Sequence, residues 1–346
     1  MRRVVVYPGR IAVEPAEVPV PGAGEALVRT LSAGVCGSDL HAVRGSHPFV
    51  SLPYRPGHEV VGIVEALGPA GAGPGRVAPA WTAGDRVIVE PDLPCWTCKM
   101  CRSGRENLCE NLRFFGCGYP QGGMADYFTL AANRLHPVPE VLDDEAAALI
   151  EPLSTPVHAV RLAGDVAGRA VAVLGAGTIG LFTLAVLRAH GAGQIVVTDP
   201  NEGKRARALA LGADFAVDAR GVDVTGEVRG VLGGSADIVF DCVAIQSSLD
   251  QAIAMADKGG TVVVVGVPAA AVTVPLPIIQ DHQIRIQGSA TYLPVDYAES
   301  VSLLSAGTVR KADFVTATRP LEAVAEAFDL ASSGQHVKVL VTVGER

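Results

Sequence analysis

Apolar positions in the first 150 residues come in short runs split by glycine and proline: Arg3 to Tyr7, Glu25 to Ala33, His58 to Leu67, Asp85 to Glu90 and Tyr127 to Leu130. Runs of that length bounded by turn residues read as β-strands rather than helices. After Glu151 the pattern changes. Thr155 to Ala163 reads as a helix, and strand-like runs at 171–174, 195–198, 237–240 and 261–265 then alternate with stretches of helical spacing. Such alternation is the mark of βαβ units around a parallel sheet. From about 289 the chain mixes a helix near Asp296 to Ala306, another near Leu321 to Ser332 and a strand Lys338 to Val343. The expected architecture is α/β: a mostly-β domain over 1–152, a doubly wound parallel-sheet domain over 153–288, and a segment 289–346 that returns to the first domain.

The sharpest local signal is Val171 to Gly180, where an apolar strand breaks into Gly175, Gly177 and Gly180 and a helical stretch follows. In a dinucleotide-binding turn the first glycine permits a tight bend, the second admits a pyrophosphate to the backbone, and the third lets helix and strand pack closely. Glycines between a strand and a helix also occur for packing alone. The run Gln194-Ile-Val-Val-Thr-Asp199 adds a second strand ending in an acid, 19 residues after Gly180. A carboxylate there accepts hydrogen bonds from the adenosine ribose and repels the extra phosphate of NADP, so NAD is expected, although Lys204, Arg205 and Arg207 lie close by. The plainer alternative is an ordinary βαβ unit whose Asp199 caps the next helix.

Composition narrows the class. The 346 residues are 49% hydrophobic and 18% charged, which fits a globular chain of about two domains. Aromatics are only 5% and glycines number 39, so the core is expected to be built from small aliphatic residues with many tight turns. A net charge of -8 argues against general binding to nucleic acid or to an anionic membrane. The N-terminal apolar run stops at Pro8, and no later run reaches the ~18 residues that span a bilayer, so a cytoplasmic protein is expected. In that compartment seven cysteines serve as metal ligands or reduced thiols rather than disulfides. The tract Pro69 to Pro79 reads as an exposed, flexible loop without chemistry.

Cys95, Cys98, Cys101 and Cys109 form C-x2-C-x2-C-x7-C in a short polar stretch at about 91–112. Four thiolates close the tetrahedral shell of a structural zinc; an iron-sulfur cluster and unligated thiols are the alternatives. A second constellation is Gly34-Val-Cys36-Gly-Ser38-Asp39-Leu-His41 with Gly57-His58-Glu59. One soft and one borderline ligand suit a catalytic zinc with an open position, with Glu59 or a more distant carboxylate as a third. A buried cysteine in a turn and a hydrogen-bonded histidine would leave the same trace. Glu151, in Glu151-Pro-Leu-Ser-Thr-Pro-Val-His158, sits where the pattern changes, placed either to face a cleft or simply to begin a helix.

Together with Gly84-Asp85-Arg86-Val87 and Gly122-Gly123-Met-Ala-Asp-Tyr127, these motifs resemble, in order and over essentially the whole chain, the zinc-dependent medium-chain dehydrogenase/reductase family, in particular its polyol (sorbitol-like) branch. The resemblance implies a GroES-like catalytic domain and a Rossmann nucleotide-binding domain. It implies two zinc ions per subunit, one structural at the four cysteines and one catalytic at Cys36 and His58, with Glu59 and Glu151 coordinating directly or through water. Ser38 would hydrogen-bond the substrate oxygen, His41 would pass its proton towards solvent, and Asp39 would orient His58. Gly175, Gly177, Thr178, Ile179 and Gly180 would cradle NAD, with NADP less favoured. Asp199 and Lys204 would hold the adenosine ribose, and the backbone of Val265, Gly266 and Val267 and of Ser289 to Thr291 would face the nicotinamide. His47-Pro48-Phe49 and Phe114-Phe115-Gly-Cys117 occupy the family's substrate-pocket positions.

The expected activity is reversible NAD-linked oxidation of a secondary alcohol to a ketone, the alcohol being a polyol, sugar alcohol, cyclitol or amino-sugar relative. Threonine or butanediol dehydrogenase of the same build is the nearest alternative. A zinc-free quinone-reductase-like enzyme and a non-catalytic NAD-binding protein are the other two. No nucleic-acid or membrane partner is expected. A homodimer or homotetramer is, with Thr261 to Val267 and Val272 to Ile279 placing an exposed sheet edge at the interface.

Overall fold

The computed structural model describes residues 1–47, 50–71 and 75–344; Pro48 and Phe49, among the expected pocket positions, lie outside the described residues. The chain divides into two compact units, Met1–Pro152 with Leu293–Arg346, and Leu153–Tyr292. Among the described residues no helix is long and apolar enough to cross a membrane.

In the first unit, strands β1 (Arg2–Tyr7) and β2 (Arg10–Pro15) form a hairpin. The main sheet has seven strands: β3 (Glu25–Val35), β4 (Glu59–Leu67), β5 (Arg86–Val89), β8 (Tyr127–Ala131), β9 (Leu135–Pro137), β16 (Val315–Pro320) and β17 (Lys338–Thr342). Their order is β16-β17-β3-β4-β5-β9, with β8 also paired to β3. Valines dominate the buried face: Val28, Val60, Val64, Val87 and Val339 are almost fully enclosed, with Phe128 among them. Short ribbon strands β6 (Asp92–Leu93) and β7 (Arg113–Phe114) bracket the cysteine-rich stretch.

The second unit holds β10 (Val171–Leu174), β11 (Ile195–Thr198), β12 (Phe215–Val217), β13 (Ala236–Asp241), β14 (Ala256–Val264) and β15 (Arg285–Gly288). They lie in the order β12-β11-β10-β13-β14-β15, and every adjacent pair is parallel. Counted within the unit this is 3-2-1-4-5-6, the Rossmann arrangement, whose switch point falls between β10 and β13. β10 and β11 are buried at every residue, as strands covered on both faces must be, which is why they appear in the sequence as unbroken apolar runs.

Two expectations need correction. β14 runs between β13 and β15, so Thr261 to Val264 lie inside the sheet, and the open edge on that side, opposite β12, belongs to β15. The second helix-bearing segment starts earlier than expected: the helix spans Ile150–Ala163 instead of beginning near Thr155. Pro152 falls in its first turn, where a missing N–H has no partner to lose, and Pro156 lies inside it.

Candidate active site

Strand register brings the constellation around Cys36 and His58 together. Gly34 of β3 pairs with Glu59 of β4, so Cys36, just past the end of β3, and His58, just before β4, emerge at the same end of the hairpin. Backbone packing presses the neighbouring turn onto them. Gly57 has φ +106 and would place a Cβ 2.3 Å from Met124 N, and Gly116 would place one 2.1 Å from Gly57 O, so both positions must be glycine. That close approach brings the Phe114 ring edge-on to His58, with centroids 5.5 Å apart.

Cys36 also caps the helix Gly37–Val43, and the Asp39 carboxylate accepts the Cys36 N–H at 2.9 Å and the Tyr54 hydroxyl at 3.0 Å. Ligand atoms of Cys36, His58 and Glu59 all lie within 4.8 Å of one another, with His58 and Glu59 buried. Burial disfavours charge on His58, yet the fields of Cys36, Asp39 and Glu151 outweigh it and raise its pKa well above the ordinary histidine value. Acidic groups gathered round His58 favour a positive charge there, as a cation site requires. His58 Nδ1 makes no hydrogen bond, and the Asp39 carboxylate interacts with the ring through charge. These donors fit a zinc ion, with sulfur, nitrogen and carboxylate oxygen converging.

Ser38 Oγ is buried and makes no hydrogen bond, while His41 is exposed with its Nδ1 3.3 Å from Ser46 Oγ. Glu151 is buried in the first turn of the Ile150–Ala163 helix; its charge reaches His58, but it lies outside the close set of three. Of the pocket positions read from the sequence, Cys117 Sγ lies 3.8 Å from His47 Nε2, and burial pushes its thiol pKa up to about 11.

Two features escaped the sequence reading. Lys338, the first residue of β17, is buried and places Nζ 2.6 and 2.7 Å from the two Glu59 carboxylate oxygens. Burial works against its charge, but Glu59 and Cys36 more than restore it and raise its pKa. The second is Arg76, from the tract expected to carry no chemistry. Its guanidinium bonds both oxygens of buried Glu90 at 3.0 and 2.9 Å, and its carbonyl accepts from Asn133. Gly75 lies so close to the Trp96 ring that a Cβ would come within 2.2 Å of it. The described part of the tract is mostly exposed, as expected, but Gly75 and Arg76 pin it onto Glu90 and the Trp96 ring of the cysteine lobe.

In that lobe the four sulfurs of Cys95, Cys98, Cys101 and Cys109 lie within 4.8 Å of one another. Cys98 Sγ is 3.5 Å from Cys101 Sγ and 3.9 Å from Cys109 Sγ. A tetrahedron with zinc–sulfur bonds of about 2.3 Å has sulfurs about 3.8 Å apart, so the set fits a structural zinc. Backbone N–H groups of Cys95 and Asn111 point at Cys109 Sγ. Hydrogen bonds from Thr97 hold the Cys95 thiol pKa down to about 5, whereas burial pushes Cys101 up to about 12. One thiolate raises the cost of the next, and a divalent cation relieves that repulsion.

In the second unit the glycine turn divides its labour. Gly175 has φ +94; a Cβ on Gly180 would sit 1.8 Å from Gly175 O; a Cβ on Gly177 would meet nothing within 4 Å. Gly177 caps the helix Thr178–Ala189, so open backbone faces outward where helix N–H groups attract a phosphate. Asp199 is buried, accepting from Ala176 N at 2.9 Å and Asn201 N at 2.8 Å. Lys204 follows in the next helix, whose Asn201 cap accepts its N–H. Val265 and Gly266 donate their N–H groups to Asp241 O at the carboxyl end of the sheet, and Val267 is exposed. Ser289 Oγ and Thr291 Oγ1 are buried there without hydrogen bonds.

Comparison with known proteins agrees with this geometry. Residues 22–140 match the alcohol dehydrogenase GroES-like domain, and residues 178–306 match the zinc-binding dehydrogenase domain. The chain is 33% identical to sorbitol dehydrogenase of Ovis aries over 343 residues, covering 98% of this chain and 95% of that protein. It is 32% identical to L-galactonate-5-dehydrogenase of Escherichia coli (strain K12), covering 94% of each. The crystal structure of a zinc-binding dehydrogenase from Sinorhizobium meliloti 1021 bound to NADP superposes with a TM-score of 0.90 at 30% identity, covering 99% and 98% of the two chains. With its GroES-like unit, Rossmann-type unit and two clustered metal-binding sets, the chain belongs to the zinc-dependent medium-chain dehydrogenase/reductase family.

Proposed function

We propose that this chain oxidises a secondary alcohol of the polyol class to a ketone, reversibly, with NAD as hydride acceptor. The observation that carries the reading is the convergence of half-buried Cys36 with buried His58 and Glu59, with sulfur, nitrogen and oxygen ligand atoms within 4.8 Å of one another. Zinc held there would act as a Lewis acid that lowers the pKa of the alcohol hydroxyl. Ser38, whose Oγ is buried without a hydrogen-bond partner of its own, would take the hydroxyl proton as it gives up its own, and His41 at the surface would deliver that proton to solvent. Glu151 adds negative charge beside His58 and would help to hold the ion, directly or through water. Cys95, Cys98, Cys101 and Cys109 hold a second, structural zinc.

NAD binds with its pyrophosphate on the open backbone at Gly177, Thr178 and Ile179, its adenosine ribose on Asp199 and Lys204, and its nicotinamide near Val265 to Val267. NAD is favoured over NADP because the buried Asp199 carboxylate repels a ribose phosphate, while nearby Arg205 is committed to Asp199 O at 2.8 Å and to Asp218 at 3.4 Å. The sorbitol and L-galactonate dehydrogenases among the relatives support a polyhydroxylated substrate. Two copies of the chain associate along the open edge of β15, where Leu276, Ile278 and Ile286 are exposed. A reducing, cytoplasmic setting belongs to the same reading, since thiols that hold metal must stay unpaired.

The test is a panel of polyols, threonine and butanediol assayed with NAD and with NADP, alongside Cys36→Ser and His58→Ala. Polyol turnover with NAD, lost in both variants while NAD still binds, is the expected result. Oxidation of threonine without any polyol would overturn the substrate assignment. Activity retained in both variants would overturn the metal assignment.

A further inference from the structure

Lys338 is 279 residues away from Glu59 in sequence, and the sheet alone unites them. β17 pairs antiparallel with β3 through Val339 and Val35, and β4 pairs with β3 on the other side through Glu59 and Gly34. Lys338 and Glu59 therefore face each other across β3. A side chain at position 34 would block them, because its Cβ would lie 1.8 Å from Glu59 Oε2. Glycine at 34 is the gap through which the ammonium reaches the carboxylate. The ammonium is fully used: its N–H groups go to Glu59 Oε1 at 2.6 Å, Glu59 Oε2 at 2.7 Å and Val35 O at 3.2 Å. Both partners are buried, 2% and 0% exposed, so neither solvent nor salt screens the pair.

We propose that Lys338 is a positioning residue for the metal centre: by gripping both oxygens of Glu59 it keeps that carboxylate a weak, exchangeable ligand instead of a fixed one. The proposal rests on the reading of Cys36, His58 and Glu59 as a zinc set. A carboxylate has about four acceptor positions, so Glu59 can serve the ammonium and still face the ion. Electron density drawn to the ammonium is density withheld from the metal. The positive charge also offsets part of the negative charge that Cys36, Glu59 and Glu151 gather around the ion. Removing Lys338 leaves Glu59 with the metal as its only strong cationic partner.

A scaffold residue and a positioning residue predict opposite signs. Zinc content of the purified holoenzyme is measured by mass spectrometry, and zinc release is followed with a chromogenic chelator. Cys36→Ser identifies which release phase belongs to the site. In Lys338→Met that phase is expected to slow by about tenfold or more, the weight of one charge-assisted hydrogen bond to the carboxylate. Lys338→Arg is expected to release zinc at the wild-type rate. Should Lys338→Met not fold, Lys338→Gln, which keeps one hydrogen bond and loses the charge, decides in the same direction. Release at the wild-type rate or faster in the neutral variant overturns the proposal. If wild type carries no zinc phase that Cys36→Ser removes, the zinc reading itself fails, and the two failures are distinct.

Discussion

Alanine at two glycines of one turn separates cofactor binding from folding. Gly177 has an ordinary φ of -77, and its would-be Cβ meets no atom within 4 Å, so Gly177→Ala introduces no clash. Its cost to the fold is the poorer helix cap, at most about 1 kcal/mol. Gly180 is the opposite case. Its Cβ would lie 1.8 Å from Gly175 O and 2.9 Å from Gly175 C, against a lower limit of 3.0 Å for real contacts, so helix and strand must part by more than an ångström. Overpacking of that kind costs about 1–3 kcal/mol, a fall in Tm of roughly 2–12 °C for a unit of this size. The methyl of Gly177→Ala instead fills the space above the helix N-terminus, and NAD affinity is expected to drop by about tenfold or more, about 1.4 kcal/mol. Calorimetric titration with NAD and thermal unfolding of the two variants measure both effects. Wild-type NAD affinity in Gly177→Ala would refute the placement of the pyrophosphate, and wild-type stability in Gly180→Ala would refute the packing role of the third glycine.

Three other outcomes are expected. Burial pushes the Glu90 carboxyl pKa up, but Arg134, His136 and Arg76 outweigh it and bring it down to about 2 from 4.5. The stabilisation, about 3 kcal/mol, is therefore fully present above pH 4.5 and is lost as pH falls towards 2. Urea unfolding should show Glu90→Gln less stable than wild type at pH 7, with the gap closing on acidification; a gap independent of pH would contradict the ion-pair account. Cys98→Ser should remove one zinc per chain and lower Tm while the Cys36 site keeps its metal, as read by elemental analysis; iron in place of zinc would refute the structural-zinc assignment. Ile286→Asp at the open edge of β15 should shift the protein to monomer in light scattering, and an unchanged oligomer would place the interface elsewhere.

Some of this molecule is legible residue by residue because the controlling forces are local. The parallel strands at Val171 and Ile195 stand out since strands buried on both faces must be apolar throughout. The cysteine cluster stands out since short spacers leave neighbouring thiols little choice but to meet. The limits of the helix at Ile150 were less clear, because proline there is permitted by its place in the first turn, which depends on where the preceding chain delivers it.

What the sequence by itself determined, then, is the alternation of elements, the glycine turn and the grouping of metal-binding residue types, all set by steric and hydrophobic rules acting over a few residues. Only the tertiary structure decided which strand is the open edge, that Arg76 clamps the cysteine lobe, and that Lys338 lies on Glu59. A lysine at the start of a strand or an arginine in a Gly/Pro tract carries no local mark of its partner. Lys338 becomes buried because sheet order and register bring the distant Glu59 carboxylate opposite it, and in the low dielectric there the charges must pair, whereas Arg76 stays partly exposed and reaches down to the buried Glu90.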